Sequence, residues 1–227
     1  LADRFGRRTV FLLGVFIFTA SSAWCGISDN IGALITARTL QGIGGSAVMP
    51  LSLALLSTSV PERLRATAIG IWGGVAGLGV ALGPLIGGAV VEGMNWHAIF
   101  WINVPFGLLC IPLVWITIPE SRGRPEPLDF LGLALVGIGL FGITYGIVRG
   151  NDAGWASMEV LTALIGGVLI LASFIWWESH AASPLLPLRL FSNRSFSMAN
   201  IVGFLFFFGI FGAIFILIQF LQVVQGA

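Results

Sequence analysis

One arginine lies deep in a segment long enough to cross a membrane, on a helical face that also carries polar and small residues. Arg38 falls within the apolar run 31–57, about 10 Å along a helix at 1.5 Å per residue. An arginine at membrane depth costs about 2.5–3.5 kcal/mol on the lenient insertion scale. At 100° per residue, it shares a face with Gln41, Gly42, Gly45, Met49 and Ser52. This face implies an aqueous cavity or a buried partner; the alternative is that Arg38 reaches the outer headgroups.

A second group of residues that could do chemistry lies in the opening segment "LADRFGRRT", in which an acidic residue precedes a cluster of arginines. Asp3 is followed by Arg4, Arg7 and Arg8, with Gly6 between them. Glycine permits a tight turn, so the pattern predicts a compact hairpin between two helices. Ion pairs in such a loop can be made and broken as the protein changes shape. The plainer interpretation is that the arginines only anchor the topology.

The third group is "GVALGPLIGG", which places helix breakers inside a membrane-length segment. Its glycines and proline belong to the apolar run 66–91 and are Gly79, Gly83, Pro84, Gly87 and Gly88. Glycine lets neighbouring helices approach backbone to backbone, and proline removes one backbone donor and crowds the preceding turn. The stretch therefore predicts a bent, closely packed helix against which others pivot. Ordinary small-residue packing is the alternative.

The elements that must position these groups follow from composition. The chain is 57% hydrophobic and 9% charged, against about 25% charged residues in soluble domains. Seven apolar segments approach or exceed the length that crosses a bilayer, and none alternates with the period of a strand. They predict an all-α, polytopic membrane protein with helices at 9–27, 31–57, 66–91, 98–118, 128–148, 158–177 and 196–225.

The connecting loops predict the orientation. The basic residues are all arginine, and nine of the 11 fall in alternate loops. These nine are Arg4, Arg7, Arg8, Arg63, Arg65, Arg122, Arg124, Arg189 and Arg194. Only Arg149 lies in the opposite set of loops. By the positive-inside rule, the end that carries residue 1 is cytoplasmic.

The sequence contains little that resembles a catalytic or metal centre. Its two cysteines and two histidines are far apart and form no spacing typical of metal ligands. We therefore expect no metal site, no nucleic-acid partner and no enzyme. Because the chain opens without methionine and closes on an apolar run, we expect it to be an internal piece of a longer protein.

Together these motifs resemble the major facilitator superfamily. "LADRFGRRT" resembles the loop between its second and third spans, and "ARTLQGIGGS" resembles its fourth-span pattern R-x-x-Q-G-x-G. "GVALGPLIGG" matches the fifth-span antiporter signature G-x-x-x-G-P-x-x-G-G. The resemblance implies a major facilitator helical bundle, present here in part.

Two further residues point to a subfamily. Asp129 and Gly132 lie in "PLDFLGLAL", which is similar to the motif that opens span seven in 14-span drug:proton antiporters. The chain would then resemble spans three to nine. The resemblance implies that 1–118 forms part of the N-terminal six-helix bundle. It makes 119–178 an extra central pair of helices and 179–227 the start of the C-terminal bundle.

The resemblance implies proton-coupled efflux of drugs or lipophilic, cationic compounds across the cytoplasmic (inner) membrane by alternating access. Arg38 would polarise the proton path, Asp3 with Arg4 and Arg8 would form a cytoplasmic latch, and the glycines around Pro84 would supply a pivot. The partners would be small molecules, protons and the lipid bilayer, with no cofactor beyond the proton gradient. Whether a periplasmic adaptor is needed stays open.

The last span offers a speculative substrate face. Asn200, Phe204, Phe207 and Phe211 share one side of it, and aromatic faces attract cations; contacts with lipid or other helices are the alternative. Two rival functions also remain. One is a facilitator that exports a metabolite, sugar or siderophore, and the other is a non-transporting membrane scaffold or sensor.

Overall fold

The regular elements of this protein are helical. The computed structural model describes residues 2–123, 127, 129–181 and 183–224, and within these ranges no strand occurs. The elements are α1 (Ala2–Phe5), α2 (Arg7–Cys25), α3 (Ile31–Ser59), α4 (Glu62–Gly93), α5 (Ala98–Thr117), α6 (Phe130–Ala153), α7 (Met158–Glu178), a 3₁₀ turn (Leu188–Ser192) and α8 (Arg194–Val224).

Seven of these helices, α2 to α8, are long and apolar enough to cross a membrane, which confirms the predicted number of spans. Helices form because the bilayer offers no partner to backbone polar groups, so each segment must satisfy its own. The observed helices extend beyond some predicted ends: α4 covers Glu62–Gly93 where 66–91 is predicted. Arg124 and residues 225–227 lie outside the described residues.

Side-chain caps set where three of the helices begin. Asn30 accepts a hydrogen bond from the Ala33 N–H at 2.8 Å, and Asp129 accepts one from the Gly132 N–H at 2.8 Å. Ser157 does the same for Val160 at 3.3 Å. Each cap supplies an acceptor to an N–H that has no partner within the helix.

The chain divides into two compact units, 1–126 and 127–227. In the first unit, α2 lies between α3 and α5. Its core is an apolar cluster formed by Phe11, Leu12, Val15, Leu55 and Val114. The predicted three-part division of the chain stays a prediction.

Two glycines bring α2 and α3 into backbone contact. A Cβ atom on Gly44 would lie 2.6 Å from the backbone nitrogen of Phe18 and 2.7 Å from the carbonyl oxygen of Gly14. Any side chain here would therefore overlap the neighbouring backbone. This is the close approach that small residues allow between membrane helices.

The two ends of the first unit agree with the predicted topology. At one end, the Arg7 N–H donates to the Ser121 carbonyl at 2.9 Å. At the other end, the Trp101 indole donates to the Gly26 carbonyl at 3.2 Å. The loop before α2 and the segment after α5 thus lie on the same side, as the distribution of arginines predicts.

In the second unit, α6 and α7 form a tightly packed antiparallel pair. A Cβ on Gly167 would lie 2.8 Å from the Ile143 nitrogen and 2.9 Å from the Gly139 carbonyl oxygen. A Cβ on Gly142 would lie 3.1 Å from the Ala163 carbonyl oxygen. Glycines on both helices therefore set the distance between them.

The contact between α2 and α3 generates a stability prediction. We expect Gly44→Ala to lower the free energy of unfolding by about 1–3 kcal/mol, because the new methyl group overpacks against backbone that cannot move aside. The measurement is unfolding of the full-length protein in mixed detergent, followed by circular dichroism.

The neighbouring residue provides the matched control. A Cβ on Gly45 would meet only the Phe18 ring, at 3.6 Å, which is ordinary van der Waals contact. Gly45→Ala should therefore leave stability nearly unchanged. Equal losses in the two variants would contradict the assignment of this helix contact to Gly44.

Candidate functional site

The start of α2 is built around a glycine and a distant glutamate. Gly6 has a φ of 105° and provides no side-chain cap for α2. A Cβ at Gly6 would lie 2.6 Å from the carboxyl group of Glu120, so that carboxylate occupies the space that a side chain would fill. Only glycine combines this positive φ with this proximity at little strain.

Glu120 supplies the cap that Gly6 lacks. Its carboxylate accepts hydrogen bonds from the Arg8 N–H at 2.9 Å and the Thr9 N–H at 3.1 Å. The Thr9 hydroxyl adds a third at 2.6 Å. A negative charge at a helix N-terminus is also favoured by the helix dipole. The carboxylate therefore ties the start of α2 to the segment that follows α5.

Arg8 makes the reciprocal contact at the end of α5. Its guanidinium donates to the carbonyl oxygens of Trp115 at 3.3 Å and Ile118 at 3.0 Å, and it lies 5.0 Å from the centre of the Trp115 ring. A cation at a helix C-terminus is favoured by the helix dipole. A carboxylate thus contacts the start of α2, and a guanidinium contacts the adjacent end of α5.

The other predicted loop residues lie at the same end of the unit. Asp3 pairs with Arg7 at 2.7 Å, and both side chains are partly exposed; such pairs contribute no more than about 1 kcal/mol. Arg4 lies 5.8 Å from the centre of the Phe5 ring. The structure thus brings Asp3 to Arg7 rather than to Arg4 or Arg8.

The sequence alone did not identify Glu120 as a candidate site residue. Partial burial raises the pKa of Glu120, but the hydrogen bonds from the Thr9 side chain and from three backbone N–H groups outweigh burial. Together they hold its pKa below the ordinary value of 4.5. One signal was present in the sequence: Glu120 is an acid in a predicted inner loop otherwise rich in arginine.

The membrane-depth residues Arg38 and Gln41 are joined by a hydrogen bond. The Arg38 guanidinium donates to the Gln41 side-chain oxygen at 2.7 Å, and Gln41 is 3% exposed. Arg38 also lies 5.8 Å from the centre of the Phe100 ring. No carboxylate in the described part of the chain pairs with Arg38 within 4.0 Å. Its charge is therefore available to an anionic partner.

A short polar network on α2 and α5 lies beside this pair. The Ser22 hydroxyl, which is buried, donates to the Phe100 carbonyl at 2.8 Å, and the Asn103 amide donates to Ser22 at 3.2 Å. Sequence reasoning missed Asn103, although an amide inside an apolar segment is a recognisable signal. The network fixes the α5 turn that carries Phe100.

The predicted pivot glycines have open space where a side chain would begin, among the described residues. Around Gly79, Gly83, Gly87 and Gly88, a Cβ atom would meet nothing within 4 Å, and the same holds for Gly42. Pro84 lies inside the continuous helix α4. The close packing and the pivot role of this face stay predictions.

The remaining predicted residues belong to the second unit. Asp129 caps α6 through the Gly132 N–H. On α8, the rings of Phe207 and Phe211 stack with centroids 6.3 Å apart, and the Asn200 amide donates to its own helix at Phe196. Phe204 is exposed on the same helix. The rings of the predicted substrate face are exposed within the described residues, and the role of this face stays a prediction.

The Glu120 cap leads to a prediction with a defined pH dependence. We expect Glu120→Gln to speed amide hydrogen exchange at Arg8 and Thr9 about tenfold, because an amide has one oxygen acceptor and loses the charge. The measurement is hydrogen exchange with mass spectrometry on the full-length protein at pH 7.

The pKa of Glu120 gives the direction with pH. Because its folded pKa lies below the ordinary 4.5, its stabilisation is complete above that value and is lost as the pH falls through the folded pKa. At low pH, amide hydrogen exchange at Arg8 and Thr9 should therefore be equally fast in the wild type and in Glu120→Gln. Glu92→Gln, at an exposed glutamate of α4, is the control. A pH-independent difference would contradict the capping role.

Comparison with known sequences places this geometry in a family. The model of the Major Facilitator Superfamily matches residues 1–227, the whole chain. The match therefore includes all seven membrane-type helices and the three motifs.

The curated relatives agree. The methylenomycin A resistance protein of Bacillus subtilis is 39% identical over 100% of this chain and 49% of its own length. The tetracenomycin C resistance and export protein of Streptomyces glaucescens is 37% identical over 100% of this chain and 42% of its own. The multidrug resistance protein Stp of Mycobacterium tuberculosis is 36% identical over 100% and 42%.

The chain thus spans less than half the length of these relatives. The match over every residue of this chain, with seven membrane-type helices, confirms the resemblance drawn from the motifs. The protein is a multi-pass membrane protein and belongs to the major facilitator superfamily.

Proposed function

We propose that the protein exports drugs or lipophilic, cationic toxic compounds in exchange for protons. The single observation that carries this proposal is the similarity of the whole chain to proteins named for drug and antibiotic resistance and export. Alternating access between two helical bundles would move the substrate outward. The proton gradient would supply the energy, without a further cofactor.

The pair formed by Arg38 and Gln41 supports a role in the proton path. A guanidinium keeps its charge at any physiological pH, and in a low-dielectric setting it stabilises a nearby carboxylate strongly. The Gln41 oxygen orients Arg38 at 2.7 Å. In the described spans, the acidic residues lie near helix ends. We therefore expect the carboxylate that takes up and releases the proton to lie in the span that corresponds to the first span of the family.

The contacts at the start of α2 support a gate. Glu120 and Arg8 link the adjacent ends of α2 and α5 through hydrogen bonds, and Asp3 with Arg7 remains exposed beside them. The exposed pair costs little to separate, whereas the Glu120 cap is stronger. The loop would then exchange partners during alternating access while the cap keeps its base in place.

The aromatic face of α8 supports a lipophilic substrate. Phe204, Phe207 and Phe211 are each more than half exposed, and aromatic rings attract cations by roughly 0.5–2 kcal/mol. These rings would contribute to a pocket in which shape matters less than charge and apolar area. We assign the protein to the 14-span drug:proton antiporters of the cytoplasmic membrane, with the end that carries residue 1 in the cytoplasm.

Arg38 provides the test of proton coupling. In everted vesicles with an acidic interior, ethidium should trigger proton release by the full-length transporter. We expect Arg38→Ala to reduce this release at least about tenfold, because the proton path loses its fixed charge, while Arg38→Lys should restore part of it. Lumenal pH is the readout.

Arg63→Ala is the matched control, since Arg63 is an exposed arginine in the first turn of α4; it should leave proton release unchanged. If a broad panel of lipophilic cations gave no release from folded, inserted protein, drug:proton antiport would be wrong. Export of a metabolite, sugar or siderophore would then be the leading hypothesis. Scaffold or sensor function would follow if no solute were moved at all.

A further inference from the structure

Glu178 is a buried glutamate at a position where a negative charge is unfavourable. Glu178 is the last residue of α7 and is 3% exposed. Burying a carboxylate is unfavourable unless it is well hydrogen-bonded, and a negative charge at a helix C-terminus opposes the helix dipole. No arginine in the described ranges forms an ion pair with Glu178. Its position therefore requires another source of stabilisation.

That stabilisation comes from the backbone that leads to the next span. Glu178 Oε1 accepts a hydrogen bond from the Leu185 N–H at 3.2 Å, and Oε2 accepts one from the Leu186 N–H at 2.9 Å. Both carboxylate oxygens are thus committed to adjacent amides. A carboxylate that binds two consecutive N–H groups fixes the direction of that segment.

The first turn of α6 leaves room for this carboxylate. A Cβ on Gly132 would lie 3.0 Å from Glu178 Oε1 and would overlap the carboxyl group of Asp129. Asp129 in turn accepts a hydrogen bond from the Trp177 indole at 2.8 Å. The start of α6 and the end of α7 therefore meet around Gly132, with Glu178 facing the segment beyond.

A continuous set of contacts runs from this segment into α8. Leu186 leads through Pro187 into the 3₁₀ turn. The Ser197 hydroxyl of α8 donates to the Phe191 carbonyl in that turn at 2.6 Å. Asn193 accepts the Ser195 N–H at 2.9 Å. The position of Leu186 therefore influences where α8 begins.

We propose that Glu178 is a positioning residue that anchors the segment 185–193 to the pair α6–α7 and thereby holds the start of α8. In this arrangement the pair acts as a support for α8. The link to export rests on the proposed function; the anchoring itself does not.

Limited proteolysis tests the anchor directly. Arg189 lies in the 3₁₀ turn, so trypsin applied to everted vesicles reports opening of this segment in the full-length transporter. We expect Glu178→Gln to raise cleavage at Arg189 about tenfold, because the variant keeps one oxygen acceptor and turns an NH₂ donor toward the second N–H. Glu178→Ala should raise cleavage further.

Controls separate anchoring from general unfolding. Cleavage at Arg63, in the first unit, should stay unchanged, and Glu62→Gln, at an exposed glutamate, should match wild type at both sites.

Two results would overturn the anchor: unchanged cleavage at Arg189 in Glu178→Ala, or an equal rise at Arg63 and Arg189. Transport then tests its consequence. If the proposed export is right, Glu178→Gln should lower the maximal rate of ethidium-driven proton release severalfold with little change in KM. Normal transport with a loosened segment would limit Glu178 to local structure and overturn its role in positioning α8 for export.

Discussion

Polar groups that enter a membrane must find their partners within the protein, because the hydrocarbon interior offers none. This constraint makes the apolar segments helical, and it also governs the few side chains that are not apolar. Gln41 is buried and holds the Arg38 guanidinium. Buried Ser22 is joined to Asn103 and to the backbone of α5. Gln41 and Ser22, two buried departures from the apolar pattern, are each matched by specific contacts, and such departures identify candidate sites.

The same constraint explains a theme at the helix ends. Glu120, Asp129 and Glu178 each accept hydrogen bonds from backbone N–H groups. Glu120 connects the segment after α5 to the start of α2, and Glu178 connects the end of α7 to the segment before α8. A carboxylate suits this task because it has two oxygens and accepts charge-assisted hydrogen bonds, which are stronger than neutral ones. Carboxylates therefore join the connectors in both units.

The glycines of this chain differ in what surrounds them. Gly44 and Gly167 allow backbone contact between neighbouring helices, and a side chain at either position would overlap main-chain atoms. A Cβ at the glycines around Pro84 would meet no atom within 4 Å in the described residues, apart from the backbone of its own helix. Composition alone does not separate these two sets, because both lie in apolar helices. The separation depends on which surfaces meet.

The sequence by itself determined the number of spans, their helical character and their family, because these depend on segment length, apolar composition and motifs read within one segment. It also identified Arg38, Gln41 and Asp129 as candidate residues. Only the tertiary structure decided that Asp3 pairs with Arg7, that Glu120 caps α2 and that Glu178 binds Leu185 and Leu186. The Glu120 contact joins residues 112 positions apart. Such a partner depends on how helices pack, and no local period or composition encodes that distance.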